Sequence, residues 1–450
     1  MRFIHTADWH LGNQMHDIDR SHEIQAFFCW LKQQIVENEI LSLVISGDIF
    51  DTANPSTEAR RLYYGFLASL AGTCCKNVII TGGNHDSAVM LECSKEVLQV
   101  VEGMNIHVVG SINNLEPSEM VFELNGDNFG ADSDGRTNAD ASEGICIALP
   151  FVREVELRNF LEKDNSENNI EDCDLFSVAY KKLYDLLYKT ALKLRGDRKI
   201  PIIATGHLYA ADLEGRLNGL ASNTKTDDGV KVLDVLGTLG NVPSSVFPPV
   251  DYVALGHIHY TSMVAKNASV RYSGSPFVMG FDEANIPHYV LKVEIEEGKV
   301  PAVEKIETPQ TNVFRRISGT LEEIKSELLK YQKINPQKNT YLELCYKKEI
   351  GVNTQEFLYD AVRSLPQKVS VVSWKIMENV NRNGSGNLFG LDSDSIDGGF
   401  DACEIKNLDD KDIFTSLILT KTGLDLQSQE AKEVLEKYLP LFVKAAESIQ

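Results

Sequence analysis

Five short motifs hold residue types that can do chemistry: Asp8-Trp9-His10, Gly47-Asp48, Gly83-Asn84-His85-Asp86, Gly206-His207 and Gly256-His257-Ile258-His259. They supply imidazole nitrogens, carboxylates and an amide oxygen, and no thiolate. That donor set suits Mn²⁺, and less sharply Fe²⁺, Zn²⁺ or Mg²⁺. Residues i and i+2 of an extended segment share a face, so Asp8 and His10 can converge on one point, and so can His257 and His259. Two cations about 3.5–4 Å apart could clamp a phosphodiester, activate water and stabilise the leaving oxygen. Such a pair calls for a bridging carboxylate, and Asp48 is the natural candidate. Taken singly, each motif has a plainer reading. An Asp-x-His can be a hydrogen-bonded pair, Gly-Asp is common in turns, Gly-Asn-His-Asp can be a turn with a helix cap, and paired histidines can lie on a surface. The five together, each after an apolar run, carry the metal reading.

The elements that must position these residues are legible as well. "RFIHTAD", "SLVISGD", "NVIITGGNHD", "PIIATGH" and "DYVALGH" are apolar runs that end in the motifs, so the chemistry sits at strand ends, the edge where α/β folds form sites. "SHEIQAFFCWLKQQIVENEI" and "PSTEARRLYYGFLASLAG" repeat apolar residues at helical spacing, the second opening on Pro-Ser. Strands alternating with helices predict an α/β fold with helices covering buried strands. The stretch 126–143 is rich in Gly, Asp and Asn and reads as an exposed loop. Residues 162–174 read as an irregular acidic piece, followed by a helix over about 175–195. From about 310, "VFRRISG", "LEEIKSELLKYQ", "TYLELCY", "TQEFLYDAVRSL" and "VSVVSWKIM" predict a strand–helix–strand–helix–strand unit. The expected domains are therefore 1–309, 310–378, a linker at 379–402 and two amphipathic helices in 403–450.

With 450 residues, 43% apolar and 24% charged, the chain is long enough for a well-buried core and more than one domain. Eight scattered cysteines form no C-x-x-C pair, which argues against a zinc site or a disulfide framework. No basic region followed by a long apolar stretch opens the chain, and no run approaches a membrane span. A cytoplasmic location is expected. The net charge is −21, of which the segment 116–174, with 16 acidic and 4 basic residues, carries −12. Such a segment should face away from phosphates, and tight DNA binding by this chain alone is not expected.

The five motifs in this order resemble the calcineurin-like metallophosphoesterase superfamily. Finer wording is similar to its SbcD branch of nuclease subunits: "HTADWHLG" (5–12), "GDIFDTANPS" (47–56), "GNHDS" (83–87), "KLRGD" (193–197), "FPPVDYVALGHIH" (247–259) and "RYSGSP" (271–276). The resemblance covers most of residues 1–300. It implies a sandwich of two sheets flanked by helices, with a small α/β cap domain and a C-terminal helical tail. By motif position, Asp8, His10, Asp48 and His259 would hold one metal, and Asp48, Asn84, His207 and His257 the other. His85 would be catalytic, touching the scissile phosphate or protonating the leaving oxygen. Asp51 and Asp86 could orient ligands from behind, or cap helices. His5, His16, His22, His107 and His288 match no motif and are read as structural or surface residues. Trp9 could stack on a base or fill the core.

The resemblance further implies two divalent metal ions, with Mn the first choice. The activity would be exonuclease and endonuclease cleavage of DNA ends and hairpins in repair and recombination. The partners would be DNA and the SbcC ATPase, docked on the tail helices in a heterotetramer with two copies of each. A homodimer would form through helices near the site, with 60–70 as a candidate surface. Two rivals share the motifs. A phosphomonoesterase would be expected to place arginines beside the metal motifs, but Arg60 and Arg61 lie well downstream of Asp48 and none flanks Asn84 or His207. A catalytically silent scaffold should have lost one of Asp8, Asp48 or His257.

Overall fold

The computed structural model describes residues 1–98, 103–113, 116–126, 142–163, 175–210, 242–347 and 353–377. The predicted 126–143 loop and the 162–174 piece fall almost wholly outside them. The linker at 379–402 and the helices expected in 403–450 fall entirely outside.

Four apolar runs form parallel neighbours β1 (Arg2–Thr6), β2 (Ser42–Ser46), β3 (Asn77–Thr81) and β4 (Asn105–Val109). Six further strands make a second sheet: β5 (Val121–Asn125), β6 (Ser142–Ile147), β7 (Ile202–His207), β8 (Tyr252–Gly256), β9 (Ser262–Met263) and β10 (Val270–Tyr272), in the order β5-β6-β7-β8-β10-β9. The first sheet is completed by antiparallel β11 (Tyr289–Glu294) beside β1 and by β12 (Ala302–Glu307) at the edge.

Alternation along each strand divides the core in two. Phe3, Val44 and Ile79 face the second sheet and pack with Ile145, Ile203, Tyr252 and Val253. Ile4, Leu43, Ile45 and Ile80 point the other way, into a layer built from α1 (Ser21–Glu37) and α2 (Thr57–Ser69), with Phe27, Phe28, Leu31 and Phe66. Short helices α3 (Ala88–Glu92) and α4 (Lys95–Leu98) follow β3, and α5 (Glu154–Lys163) follows β6. The far side of the second sheet is covered by α6 (Leu175–Arg195), which buries Ala179, Leu183, Tyr184 and Leu187 at helical spacing. The result is the expected sandwich of two sheets between helices. Strands buried on both faces explain why the runs read as continuously apolar rather than alternating.

The predicted strand–helix–strand–helix–strand order is found after 310: β13 (Asn312–Gly319), α7 (Leu321–Tyr331), β14 (Asn339–Tyr346), α8 (Thr354–Arg363) and β15 (Val369–Ile376). The three strands are parallel in the order β13-β14-β15, and Leu321, Ile324, Leu328 and Leu358 of the two helices are buried in their shared core. Thr320 starts α7 with a capping box to Glu323. Among the described residues no helix is long and apolar enough to cross a membrane.

Trp9 fills the core. It is 1% exposed, its ring meets Phe27, Phe28 and Phe66 edge-on, and its indole N–H donates to Thr6 Oγ1 at 2.9 Å. The apolar residues of the 60–70 stretch are also turned inward: Leu62, Tyr63, Phe66 and Leu67 are buried, leaving Arg61, Gly65 and Ala68 exposed.

Candidate metal centre

Parallel pairing puts the ends of β1, β2 and β3 along one edge of the first sheet, and His207 at the end of β7 pairs with Gly256 at the end of β8. The five motifs therefore meet where the two sheets' strands run out. Two donor groups result, and within each the donor atoms lie within 4.8 Å of one another: Asp8, His10 and His259; and Asp48, His207 and His257. Asp48 Oδ2 links them, 3.6 Å from His10 Nε2 and 3.2 Å from His207 Nε2. Asn84 joins the second group, its Oδ1 3.0 Å from His207 Nε2 and 3.1 Å from His257 Nδ1. A third grouping, His10, Asp51 and His85, lies against the first.

The convergence has a different cause from the one read in the sequence. β1 ends at Thr6 and β8 at Gly256, so neither Asp-x-His nor His-x-His is extended. Asp8 (φ 54°), His10 (φ 44°), Asp48 (φ 48°) and His257 (φ 99°) instead occupy positive-φ backbone, uncommon for residues with a side chain. Each such residue costs on the order of 1–3 kcal/mol and persists because its surroundings hold it. The holders are visible: the N–H groups of Asp8 and His10 donate to the carbonyls of Gly47 and Asp48, both at 3.0 Å. The His257 N–H donates to Asp8 Oδ1 at 2.8 Å. The motifs thus brace one another.

Hydrogen bonds also set the ring tautomers. His207 Nδ1 lies 2.9 Å from the Ser46 carbonyl oxygen, and His85 Nδ1 lies 2.8 Å from that of Asp51. A carbonyl only accepts, so both Nδ1 atoms carry a proton, and Nε2 is the nitrogen left free of the backbone in each ring. His259 Nδ1 donates to Glu283 Oε1 at 3.1 Å, and His10 Nδ1 lies 3.2 Å from Asp51 Oδ1. A carboxylate behind an imidazole is the usual way a ligating ring is oriented. Asp86 and Asp51 cap no helix; Ser56 and Ser87 do that for α2 and α3. Asp86 instead accepts the N–H groups of Ile49, Phe50 and Gly83 at 3.0, 2.9 and 2.8 Å, fixing the turn that presents Asp48.

Glu283 went unnoticed in the sequence. It sits 24 residues after its partner His259 in "GFDEANIP", and no spacing rule connects them. Its other oxygen accepts the Met279 N–H at 2.8 Å, so its orientation is fixed.

The electrostatics match a site built for cations. Asp8 Oδ2, both ring nitrogens of His10 and His257 Nε2 are buried without a hydrogen-bond partner among the described residues, His10 Nδ1 having only its charge contact with Asp51. Leaving such an atom unsatisfied costs about 1–3 kcal/mol, which a bound cation would remove. Before any cation enters, burial alone would lower the pKa of His207, but the Asp48 carboxylate outweighs it and lifts it to about 9. Burial acts the same way on His259, and Glu283 outweighs it to give about 9. His257 is pushed down to about 3 by burial and by neighbouring His207. Burial raises Asp8, whereas Asp48 is held below the usual carboxylate range because His207 and His10 overcome its burial. Negative oxygens and imidazole nitrogens thus converge, with protons where divalent ions would go. The residues fit divalent metal.

Fold and donor set together define a metal-dependent phosphoesterase. Residues 1–261 match the family model of the calcineurin-like phosphoesterases. The chain is 31% identical to the SbcD subunit of the SbcCD nuclease of Escherichia coli K12, over 83% of this chain and 84% of that one. It is 32% identical to the SbcD subunit of Rhodobacter capsulatus over 67% and 68% of the two chains, and 26% identical to that of Bacillus subtilis over 66% and 67%. The chain belongs to the calcineurin-like phosphoesterases and, within them, to the SbcD nuclease subunits. It is accordingly an enzyme with phosphoesterase activity of the nuclease type, and its fold takes divalent metal.

Proposed function

We propose that this chain is a Mn²⁺-dependent DNA exonuclease and endonuclease that processes ends and hairpins together with an SbcC-type ATPase. The observation that carries the reading is the pair of donor groups sharing Asp48 Oδ2, with the exposed His85 ring beside them. Asp8, His10, Asp48 and His259 would hold one cation, and Asp48, Asn84, His207 and His257 the other. Bound there, two cations would supply Lewis acidity to the phosphate and lower the pKa of a coordinated water.

The chain's own residues do the rest. Asp48 lies between the two donor groups. Glu283 and the Ser46 carbonyl hold His259 and His207 by Nδ1, which leaves Nε2 of each ring as the nitrogen that would ligate a cation. His85, with Nδ1–H fixed on the Asp51 carbonyl, keeps Nε2 for the substrate. It contacts the scissile phosphate or, in its doubly protonated form, hands the Nε2 proton to the leaving 3′ oxygen and is left neutral, general acid work of the kind histidine does. Asp51 and Asp86 act from behind. Arg60 and Arg61 are engaged with Thr57 and Glu58 on α2, which favours a diester over a phosphomonoester.

The relatives are each named as one part of a two-part nuclease. That supports assembly with a partner subunit. The family resemblance carries the finer reading, a cytoplasmic heterotetramer of two nuclease and two ATPase chains, with segment 403–450 docking the ATPase and the nuclease chains forming a homodimer. A net charge of −21 fits a protein whose partner supplies much of the DNA-binding surface. Tight, steeply salt-dependent duplex binding by the isolated chain would contradict that division of labour.

The deciding experiment incubates the chain and its His85→Ala variant with labelled hairpin and linear DNA in Mn²⁺, Mg²⁺ or EDTA. Bis-p-nitrophenyl phosphate and p-nitrophenyl phosphate serve as diester and monoester controls. Mn²⁺-dependent DNA cleavage lost in the variant is expected. Monoester turnover without DNA cleavage would make the protein a phosphatase. Silence on every substrate, with ATPase partner and ATP present, would leave a scaffold.

A further inference from the structure

A line of polar contacts leads away from the donors towards the three-stranded unit, and its meaning rests on the nuclease reading above. Asp51 is its hub. Oδ1 lies 3.2 Å from His10 Nδ1, and the Asp51 carbonyl takes the His85 Nδ1–H at 2.8 Å. The same Oδ1 accepts from Asn13 Nδ2 at 3.0 Å, and Asn13 Oδ1 accepts from Arg20 Nη1 at 3.3 Å. Arg20 is buried, its Nε bonded to buried Glu23 at 2.7 Å. Its guanidinium lies over two rings, 5.5 Å from the centroid of Phe277 and 5.7 Å from that of Phe314.

Two physical points give this line a direction. Arginine only donates, so it fixes which end of the Asn13 amide is oxygen; a flipped amide would set N–H groups against the guanidinium and an oxygen against Asp51. The second point concerns cost. A buried ion pair repays its desolvation only with good geometry, and apolar residues of similar size would serve packing as well or better. Arg20 and Glu23 are therefore poorly explained by stability alone. Phe314 belongs to β13, and it clusters with Met15 and Ile18, from the same loop that carries Asn13 and Arg20, and with Val278 and Phe281.

We propose that Arg20 is a positioning residue for the reaction centre: through Asn13 it sets the Asp51 carboxylate against the His10 ring, on the residue whose carbonyl holds His85, and through Phe314 it ties that setting to the seating of the three-stranded unit. Asn13→Ala cuts the line at its middle and removes only a half-buried side chain, so it should leave thermal stability near wild type. Arg20→Lys keeps the charge and loses the fork. Phe314→Leu keeps apolar bulk and removes the ring beneath the guanidinium.

The test uses the full chain. Mn²⁺ affinity is measured by electron paramagnetic resonance, kcat, KM and the pH–rate profile with bis-p-nitrophenyl phosphate, and folding by thermal midpoint. Asn13→Ala and Arg20→Lys should each weaken Mn²⁺ binding and lower kcat about tenfold with KM little changed, the scale of lost ligand orientation. They should also shift a limb of the pH profile. The double variant should be no worse than either single one, because both cut the same line, and Phe314→Leu should move every readout the same way by a smaller factor. Folded variants with wild-type Mn²⁺ affinity, kcat and pH profile would overturn the proposal, as would losses that add in the double variant. A wild-type chain that neither binds Mn²⁺ nor cleaves the diester would sink the nuclease reading itself.

Discussion

His85 differs from the other motif histidines in being exposed, with Nδ1 committed to a backbone carbonyl. If it works on the substrate and not on a cation, His85→Ala should lower kcat by about 10²- to 10⁴-fold while Mn²⁺ affinity stays at the wild-type value. Steady-state kinetics beside a Mn²⁺ titration reads both; a parallel loss of affinity would make it a ligand. Glu283 makes the opposite case. Burial would lower the pKa of His259, and Glu283 is the main group holding it up. Glu283→Gln keeps the shape and removes the charge, so His259 should titrate lower and Mn²⁺ should bind about tenfold more weakly. Equal affinity in the two proteins would mean that the ring is oriented by other contacts.

The elements meet at the site with little room. A Cβ added at Gly256 would press on the Ser46 carbonyl, the His207 ring and Ala7, across the gap between the two sheets. Gly256→Ala should therefore destabilise the chain by about 1–3 kcal/mol, as overpacking does. It should also weaken Mn²⁺ binding, because the strand end that carries His257 and His259 must shift. Gly65 is the control. It lies within α2 with no atom within 4 Å of its would-be Cβ. Gly65→Ala should raise stability by about 0.5–1 kcal/mol through helix propensity alone and leave cation binding untouched. Thermal unfolding of both variants, with and without Mn²⁺, separates the effects.

For the whole molecule, pH couples folding to cation binding. His207 and His259 are lifted above the ordinary histidine value to about 9. Their contribution to the cation-free fold is complete below about pH 6.5 and is lost as pH rises through 9. Ligation requires the neutral rings, so cation affinity moves the other way and grows across the same window. The rise in unfolding temperature on adding Mn²⁺ should therefore increase from about pH 6.5 towards 9. A scanning measurement at fixed excess Mn²⁺ checks this, and a rise that stayed flat or shrank would remove the two rings from the ligand set. Asp48 adds nothing in this range, because its carboxyl is held below the usual values.

By itself the sequence determined which residues could bind cations and on which edge they emerge. Motif chemistry is local, and an apolar run that ends in Gly-Asp or Gly-His marks a strand end whatever the rest of the chain does. The alternation of buried strands with helices and the strand–helix order after 310 were legible for the same reason, because burial on two faces or one leaves a period that a window of residues can show. The two-sheet sandwich was legible only through the family resemblance. Tertiary structure alone decided how the donors meet. Asp8 and His10 converge through positive-φ backbone braced by Gly47 and Asp48, not through strand alternation. Glu283, Asn13 and Arg20 join the site only because packing brings them to His259 and Asp51. Trp9 turned into the core because Phe27, Phe28 and Phe66 wait for it there. Most of these contacts join residues far apart along the chain. No sequence window spans them, and only the stacking of sheets and helices sets their distances.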